Sequence, residues 1–180
     1  LVHLSVMDDE RAISTRLRRH LGAIYQVSAL INGTDDFYKI QEALVKALNR
    51  NFQADRCLVF LVGDPRREDD LGLPRVLSSD GDPETGYSTT IVDNVMQTGE
   101  SILARDALSD ARYSHKESVV LDRIRSVMCV PIETAGERLG VIYVDSSVLA
   151  DAYNVQDREL LAALGPLCGA GLTRSMLIEE

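Results

Sequence analysis

Cysteine is scarce. The 180-residue chain holds three, Cys57, Cys129 and Cys168, widely spaced, with no CxxC pair and no Cys/His cluster. That argues against a structural zinc site and against a disulfide framework, and it predicts a reducing, cytoplasmic location. No apolar run approaches the ~20 residues of a membrane span. The opening Leu1-Val2-His3-Leu4 lacks the charged segment and apolar stretch of a signal peptide. Positive charge is also short: 19 Lys and Arg stand against 28 Asp and Glu, a net −9. An acidic surface of that kind disfavours nucleic acid and anionic membrane as partners. P-loop, GxSxG and HExxH patterns are absent, as are internal repeats and low-complexity segments. The chain begins without Met, as expected for a piece of a longer protein.

What is present is ordinary for a globular domain: 45% hydrophobic and 26% charged residues. The length suits one domain of about 120 to 150 residues with helical extensions, large enough to fold without staples. Asp8-Asp9-Glu10 is acidic, as helix starts are. After it, Ile13, Leu17, Leu21, Ile24, Ser28 and Ile31 recur at steps of three and four and predict one helix, ended by Asn32-Gly33. Thr34 or Asp35 is placed to cap a second helix carrying Phe37, Ile40, Leu44, Val45 and Leu48, closed by Asn49-Arg50-Asn51. Cys57 to Val62 is an apolar strand expected to be covered on both faces, and Pro74 to Ser79 a partner strand. Ser88 caps a short helix through Ile91, Val92, Val95 and Met96, closed by Gly99. The mixed stretch from Ser101 to Arg125 is expected to hold a short strand, a loop and a short helix around Ser118 to Ile124. Val127 to Ile132 and Leu139 to Val144 form a hairpin, with Pro131 suited to a strand end or edge. A long C-terminal helix carries Val155, Leu160, Leu161, Leu164, Leu167, Cys168, Leu172 and Met176, bent at Gly165-Pro166. The order predicts an α+β domain on an antiparallel sheet, with the terminal helices sharing one sheet face.

Several segments resemble the GAF family. Ser126-Val127-Met128-Cys129-Val130-Pro131-Ile132 followed by Gly140-Val141-Ile142-Tyr143-Val144-Asp145 is similar to that family's S-x-x-x-x-P-[LI] … G-V-[IL]-x-[VL]-[DN] hairpin. Ala54 to Leu61 resembles its first strand, Gln97-Thr98-Gly99-Glu100 the turn after its pocket helix, and Asp110-Ala111-Arg112-Tyr113 its D-x-R-[FY] loop. Asp157-Arg158-Glu159-Leu160-Leu161 resembles the opening of its last helix. The likeness covers residues 20–175, leaving 1–19 as a signalling or dimerisation extension and 176–180 as the start of a linker to an output domain.

The resemblance implies an about six-stranded antiparallel sheet. Terminal helices cover one face, and short helices and loops close a pocket on the other. It implies a sensor for a small molecule, paired as a homodimer through its terminal helices and attached to an output domain in a bacterial signalling or transcription-regulatory protein. Carried over residue by residue, the pocket falls on Leu58, Phe60, Leu77, Ser78, Ile91, Val92, Tyr113, Glu117, Val120, Ile124, Met128 and Tyr143. These residues either line a cavity or complete a core.

The chain departs from the family's cyclic-nucleotide binders. Asp145-Ser146-Ser147 replaces their Asn-Lys, and Leu58, Val120, Ile124 and Tyr143 stand where purine and phosphate would be held. A buried phosphate needs donors, so a cyclic nucleotide is disfavoured and a more apolar ligand expected. Bilin is disfavoured because residues 100–126 contain no cysteine. The family's free-methionine-sulfoxide reductases place catalytic cysteines in the loop that here runs thiol-free from Tyr113 to Arg125. Cys57 and Cys129 are expected to face the terminal helices, opposite Leu58 and Met128. No enzymatic activity and no metal site are expected. His115 reads as a solvated loop histidine, and Arg112, Lys116, Arg123 and Arg125 as partners of Asp106, Asp110, Glu117 and Asp122. The competing reading is a dimerisation or protein-docking module with a closed pocket.

Overall fold

The computed structural model describes residues 2–34, 36–62, 75–78, 86–113 and 123–178, with 2–9, 37, 38, 41, 75–78 and 176–178 described in backbone only. Helix α1 spans Val2–Gly33 and α2 spans Phe37–Phe52. Strands β1 (Arg56–Leu61) and β2 (Arg75–Ser78) follow, then helix α3 (Thr89–Thr98). Strand β3 (Ile102–Ala104), the hairpin β4 (Ser126–Thr134) and β5 (Glu137–Ser146), and helix α4 (Val155–Ile178) complete the chain. The described strands form one antiparallel sheet in the order β2-β1-β5-β4-β3. About six strands were expected, and five lie among the described residues. The short helix anticipated near Ser118 to Ile124 lies largely outside the described residues.

Local chemistry explains most boundaries. Asp36 takes the cap of α2, its Oδ1 accepting from the Lys39 amide at 3.1 Å, and Thr34 instead accepts from the Asp36 amide. Asn154 and Asp157 bond each other's backbone amides at 3.0 and 3.1 Å, a capping box that starts α4. The β4–β5 turn narrows to Ala135-Gly136, both at positive φ, the handedness that matches strand twist. Asp8-Asp9-Glu10 does not begin α1; the helix is already formed at Val2, because nothing upstream of the acids breaks it. Pro131 lies within β4, beyond the three residues that β3 pairs, Val127 to Cys129, so its missing N–H costs no bond on that side. Pro166 lies inside α4, which remains helical through it.

The sheet separates two apolar cores. On one face α1, α2 and α4 pack Val27, Leu44, Leu48, Leu161 and Leu164 against Cys57, Val59, Val130 and Ile142. Close approach of α4 to β4 depends on Gly165 and Gly169, where a Cβ would stand 2.3 Å and 2.7 Å from the Pro131 and Glu133 carbonyl oxygens. On the other face α3 and the segment around Tyr113 cover Leu58, Phe60, Val127, Val141 and Tyr143.

Candidate functional site

Seven of the twelve sequence-derived site residues meet on the α3 face. Leu58, Phe60, Ile91, Val92, Tyr113, Ile124 and Tyr143 are all buried in one cluster. Glu117 and Val120 lie outside the described residues, as do His115 and Lys116. Leu77 and Ser78 are described in backbone only; in β2 they stand opposite Val59 and Leu58 of β1.

Met128 does not belong to this group. Cys129 pairs directly with Tyr143, and Met128 with Val144. Directly opposed residues of an antiparallel ladder share a face. Cys129 therefore lies in the core on the α3 side, beside Tyr143, and Met128 lies in the helix-side core. The expectation that both strand cysteines face the terminal helices holds for Cys57 and fails for Cys129. All three thiols are buried and free. Burial pushes Cys168 up to about 12 and pushes Cys57 and Cys129 up as well, so none offers a thiolate at neutral pH.

A buried polar chain crosses the edge of this core. The Tyr143 hydroxyl donates to Asp145 Oδ2 at 2.7 Å and accepts from the Ser88 amide at 3.3 Å. Arg56 Nε donates to Asp145 Oδ1 at 2.8 Å, and its Nη1 donates to the Gly86 carbonyl. Ser88 caps α3, its Oγ accepting from the Ile91 amide. The Tyr87 ring packs tilted against Phe60, 4.7 Å between ring centres, and edge-on to Tyr143 at 6.3 Å. Burial drives the Asp145 carboxyl up, against the pull of Arg56 and the Tyr143 hydroxyl. Burial, then the neighbouring Asp145 charge, holds the Tyr143 hydroxyl protonated, so it remains a donor.

Arg56, Tyr87 and Ser88 were not singled out as site residues from sequence. Tyr143 and Asp145 share a strand face two residues apart, which sequence shows, but Arg56 lies 89 positions away from Asp145. Arg112 and Arg125 pair with Asp110 and Asp106, as their charges suggested. Among the described residues there is no group of His, Cys, Asp and Glu fit to hold a metal, and no helix long and apolar enough to cross a membrane.

The outer surface of α1 carries a second feature. Ile13, Leu17, Leu21 and Tyr25 recur every four residues and are 59, 56, 58 and 78% exposed. Tyr25 borders a groove of about 470 Å³ between α1 and α2, where Ala29, Leu30 and Ala43 also lie.

Comparison with solved structures agrees with this architecture. The free methionine-R-sulfoxide reductase of Neisseria meningitidis, in complex with its substrate, matches with TM-score 0.63 at 16% identity, over 88% of this chain and 91% of that one. The GAF domain of an Acinetobacter phosphoenolpyruvate-protein phosphotransferase matches with TM-score 0.64 at 16% identity, over 88% and 95%. A domain of a two-component sensor histidine kinase protein from Sinorhizobium meliloti 1021 matches with TM-score 0.56 at 18% identity, over 79% and 94%. At these identities the likeness establishes the fold. No curated protein sequence matches. The family model for the GAF domain matches residues 36–172, three-quarters of the chain, and the chain belongs to the GAF domain family.

Proposed function

We propose that this GAF domain is the regulatory module of a cytoplasmic signalling protein. It pairs with a second copy through α1, senses a small, mainly apolar molecule on its α3 side and relays occupancy to an attached output domain through α1 and α4. The observation that carries this reading is the state of α1. Its C-terminal half is rooted in the core by Ala23, Val27 and Ile31. Its preceding turns expose Ile13, Leu17, Leu21 and Tyr25 in one stripe, continuous with the α1–α2 groove. A helix anchored at one end and apolar on an open face at the other is built to pack against another helix. Arg19 ties this rod to the domain, reaching Asp157 at the start of α4 at 3.4 Å and the Asn51 carbonyl at the end of α2 at 2.8 Å. A shift in α4 is thereby felt at α1.

The test is the oligomeric state. The double substitution Leu17→Lys and Leu21→Lys places charge on exposed positions only, so the fold is kept. Light scattering should report a dimer for the parent protein and a monomer for the variant. A monomeric parent, or an unchanged dimer in the variant, removes this interface. Ile24 is unsuitable for the test because it packs partly against the core.

A second reading, a docking module whose α3 side takes no ligand, is favoured by the complete burial of Leu58, Ile91, Ile124 and Tyr143 and by the internal pairing of the Tyr143 hydroxyl. Native mass spectrometry of freshly purified protein, with a thermal-shift screen of metabolites, separates the two. A ligand at 100 times its dissociation constant adds about 2.7 kcal/mol, and a screen without a shift selects the docking module. The raised thiols support neither a bilin linkage nor a cysteine-dependent reductase. Among the described residues, the Arg56 guanidinium and the Tyr143 hydroxyl are already engaged with Asp145, which speaks against a cyclic nucleotide.

A further inference from the structure

Helix α3 is held at each end by an arginine of the sheet. At its start, Arg56 of β1 pairs with Asp145 of β5 and donates to the Gly86 carbonyl, while the Ser88 amide donates to the Tyr143 hydroxyl. At its end, Arg138 of β5 pairs with Glu133 of β4 at 2.8 Å and donates to the Met96 carbonyl at 2.5 Å. Each clamp is thus an Arg–carboxylate pair that grips a backbone oxygen.

The clamps differ in their contact with water. The Arg56 and Asp145 side chains are 14 and 0% exposed, those of Arg138 and Glu133 27 and 42%. Water can replace the partners of the second pair and salt can screen it, whereas breaking the first strands a charge in the interior. The weaker clamp also sits where the helix is built to stop. Gly99 caps α3 at φ 74, and a Cβ there would stand 2.2 Å from Arg138 Nη2.

We propose that α3 is a lid that pivots on its Arg56–Asp145–Tyr143 clamp and opens at its Arg138 end. The opening uncovers an apolar cleft between Ile91, Val92 and Val95 above and Val127, Cys129 and Val141 below. That the cleft admits the sensed molecule, an apolar ring or chain, rests on the sensor reading. The swing of the helix does not.

The three cysteines make the motion measurable without added labels. Cys129 lies in the core on the α3 side, whereas Cys57 and Cys168 lie in the helix-side core. Under native conditions a small thiol reagent, followed by peptide mass spectrometry, should modify Cys129 ahead of the other two, because local opening exposes it without global unfolding. Arg138→Gln should raise the Cys129 rate by about three- to tenfold, the worth of a part-exposed ion pair and its hydrogen bond, and leave Cys57 and Cys168 unchanged. Sodium chloride at about 1 M, where the screening length is ~3 Å, should do the same to the parent protein. This arm serves should the variant not fold. Amide exchange locates the pivot: the Gly99 amide should quicken in Arg138→Gln while those of Ile91 and Val92 hold their rates. Modification of all three cysteines at one rate, or a Cys129 rate indifferent to both Arg138→Gln and salt, overturns the lid. Equal quickening at both ends of α3 overturns the pivot. A ligand found by native mass spectrometry alongside an unresponsive Cys129 leaves the sensor reading standing and removes only the lid.

Discussion

The Tyr143 hydroxyl donates to the Asp145 carboxylate at 2.7 Å, two residues along the same strand and wholly inside the protein. The pair does more than satisfy itself. Tyr143 accepts from the cap residue of α3, and Asp145 holds Arg56. Tyr143→Phe keeps the ring and deletes both hydrogen bonds of the hydroxyl, the one from the Ser88 amide and the one to Asp145 Oδ2. The expected loss is about 1–3 kcal/mol. Asp145→Ala removes the buried carboxylate on which the Arg56 guanidinium and the Tyr143 hydroxyl converge and should cost more, about 3–5 kcal/mol. Urea unfolding of both variants checks the order. A Tyr143→Phe protein as destabilised as Asp145→Ala would mean that the Tyr143 hydroxyl, not the carboxylate, organises this corner.

Asp55 neighbours Asp145 in space and behaves oppositely. Burial works against its charge, but the Ser146 hydroxyl at 2.9 Å and the Ser147 and Val148 amides at 2.8 and 3.3 Å outweigh burial and hold its pKa below the ordinary 3.8. The folded state therefore keeps this carboxylate charged at a pH where the unfolded chain has taken up the proton. Its stabilisation is present above pH 3.8 and is lost as pH falls through the lowered value. Asp55→Asn should lower stability at neutral pH and flatten its decline below that point. Thermal melts of both proteins across the acid range check this; a parallel decline would instead assign the acid loss to other carboxylates such as Asp110, whose pairing with Arg112 also lowers it.

How far the sequence reaches depends on how local the determining chemistry is. Helix α3 was legible at both ends because Ser88 and Gly99 are caps, and caps act within a turn. The hairpin of β4 and β5 was legible because two apolar runs flank a glycine turn. The faces of β4 were not. Val127, Met128, Cys129 and Val130 are all apolar and all buried, so alternation carries no phase. Only the register against β5 puts Cys129 beside Tyr143 and Met128 behind the sheet. The same limit hid the role of Arg56, whose partners lie on β5 and before α3, far along the chain. The apolar members of the α3 face were recoverable from strand period and family resemblance, while the polar chain that ties them to α3 is purely tertiary.

Two helical glycines give a prediction of opposite sign from one substitution. Gly22 lies on an exposed face of α1, and a Cβ there meets nothing within 4 Å. Gly22→Ala should stabilise by about 0.5–1 kcal/mol, since alanine loses less backbone freedom when the helix forms. Gly165 lies where α4 crosses β4, and its Cβ would meet the Pro131 oxygen at 2.3 Å. The neighbour is backbone in the middle of the sheet and cannot turn aside as a side chain would. Gly165→Ala must therefore push α4 off β4 or distort the strand, and should destabilise by at least the ~1–3 kcal/mol typical of overpacking. Because α4 is the proposed route from the domain to its output, this variant should also weaken the Arg19–Asp157 tie and quicken amide exchange at the start of α4. Calorimetry of the two variants decides the matter. A Gly165→Ala protein that melts at or above the parent temperature would mean that α4 and β4 can part without cost, and that their close approach does not fix the position of the terminal helix.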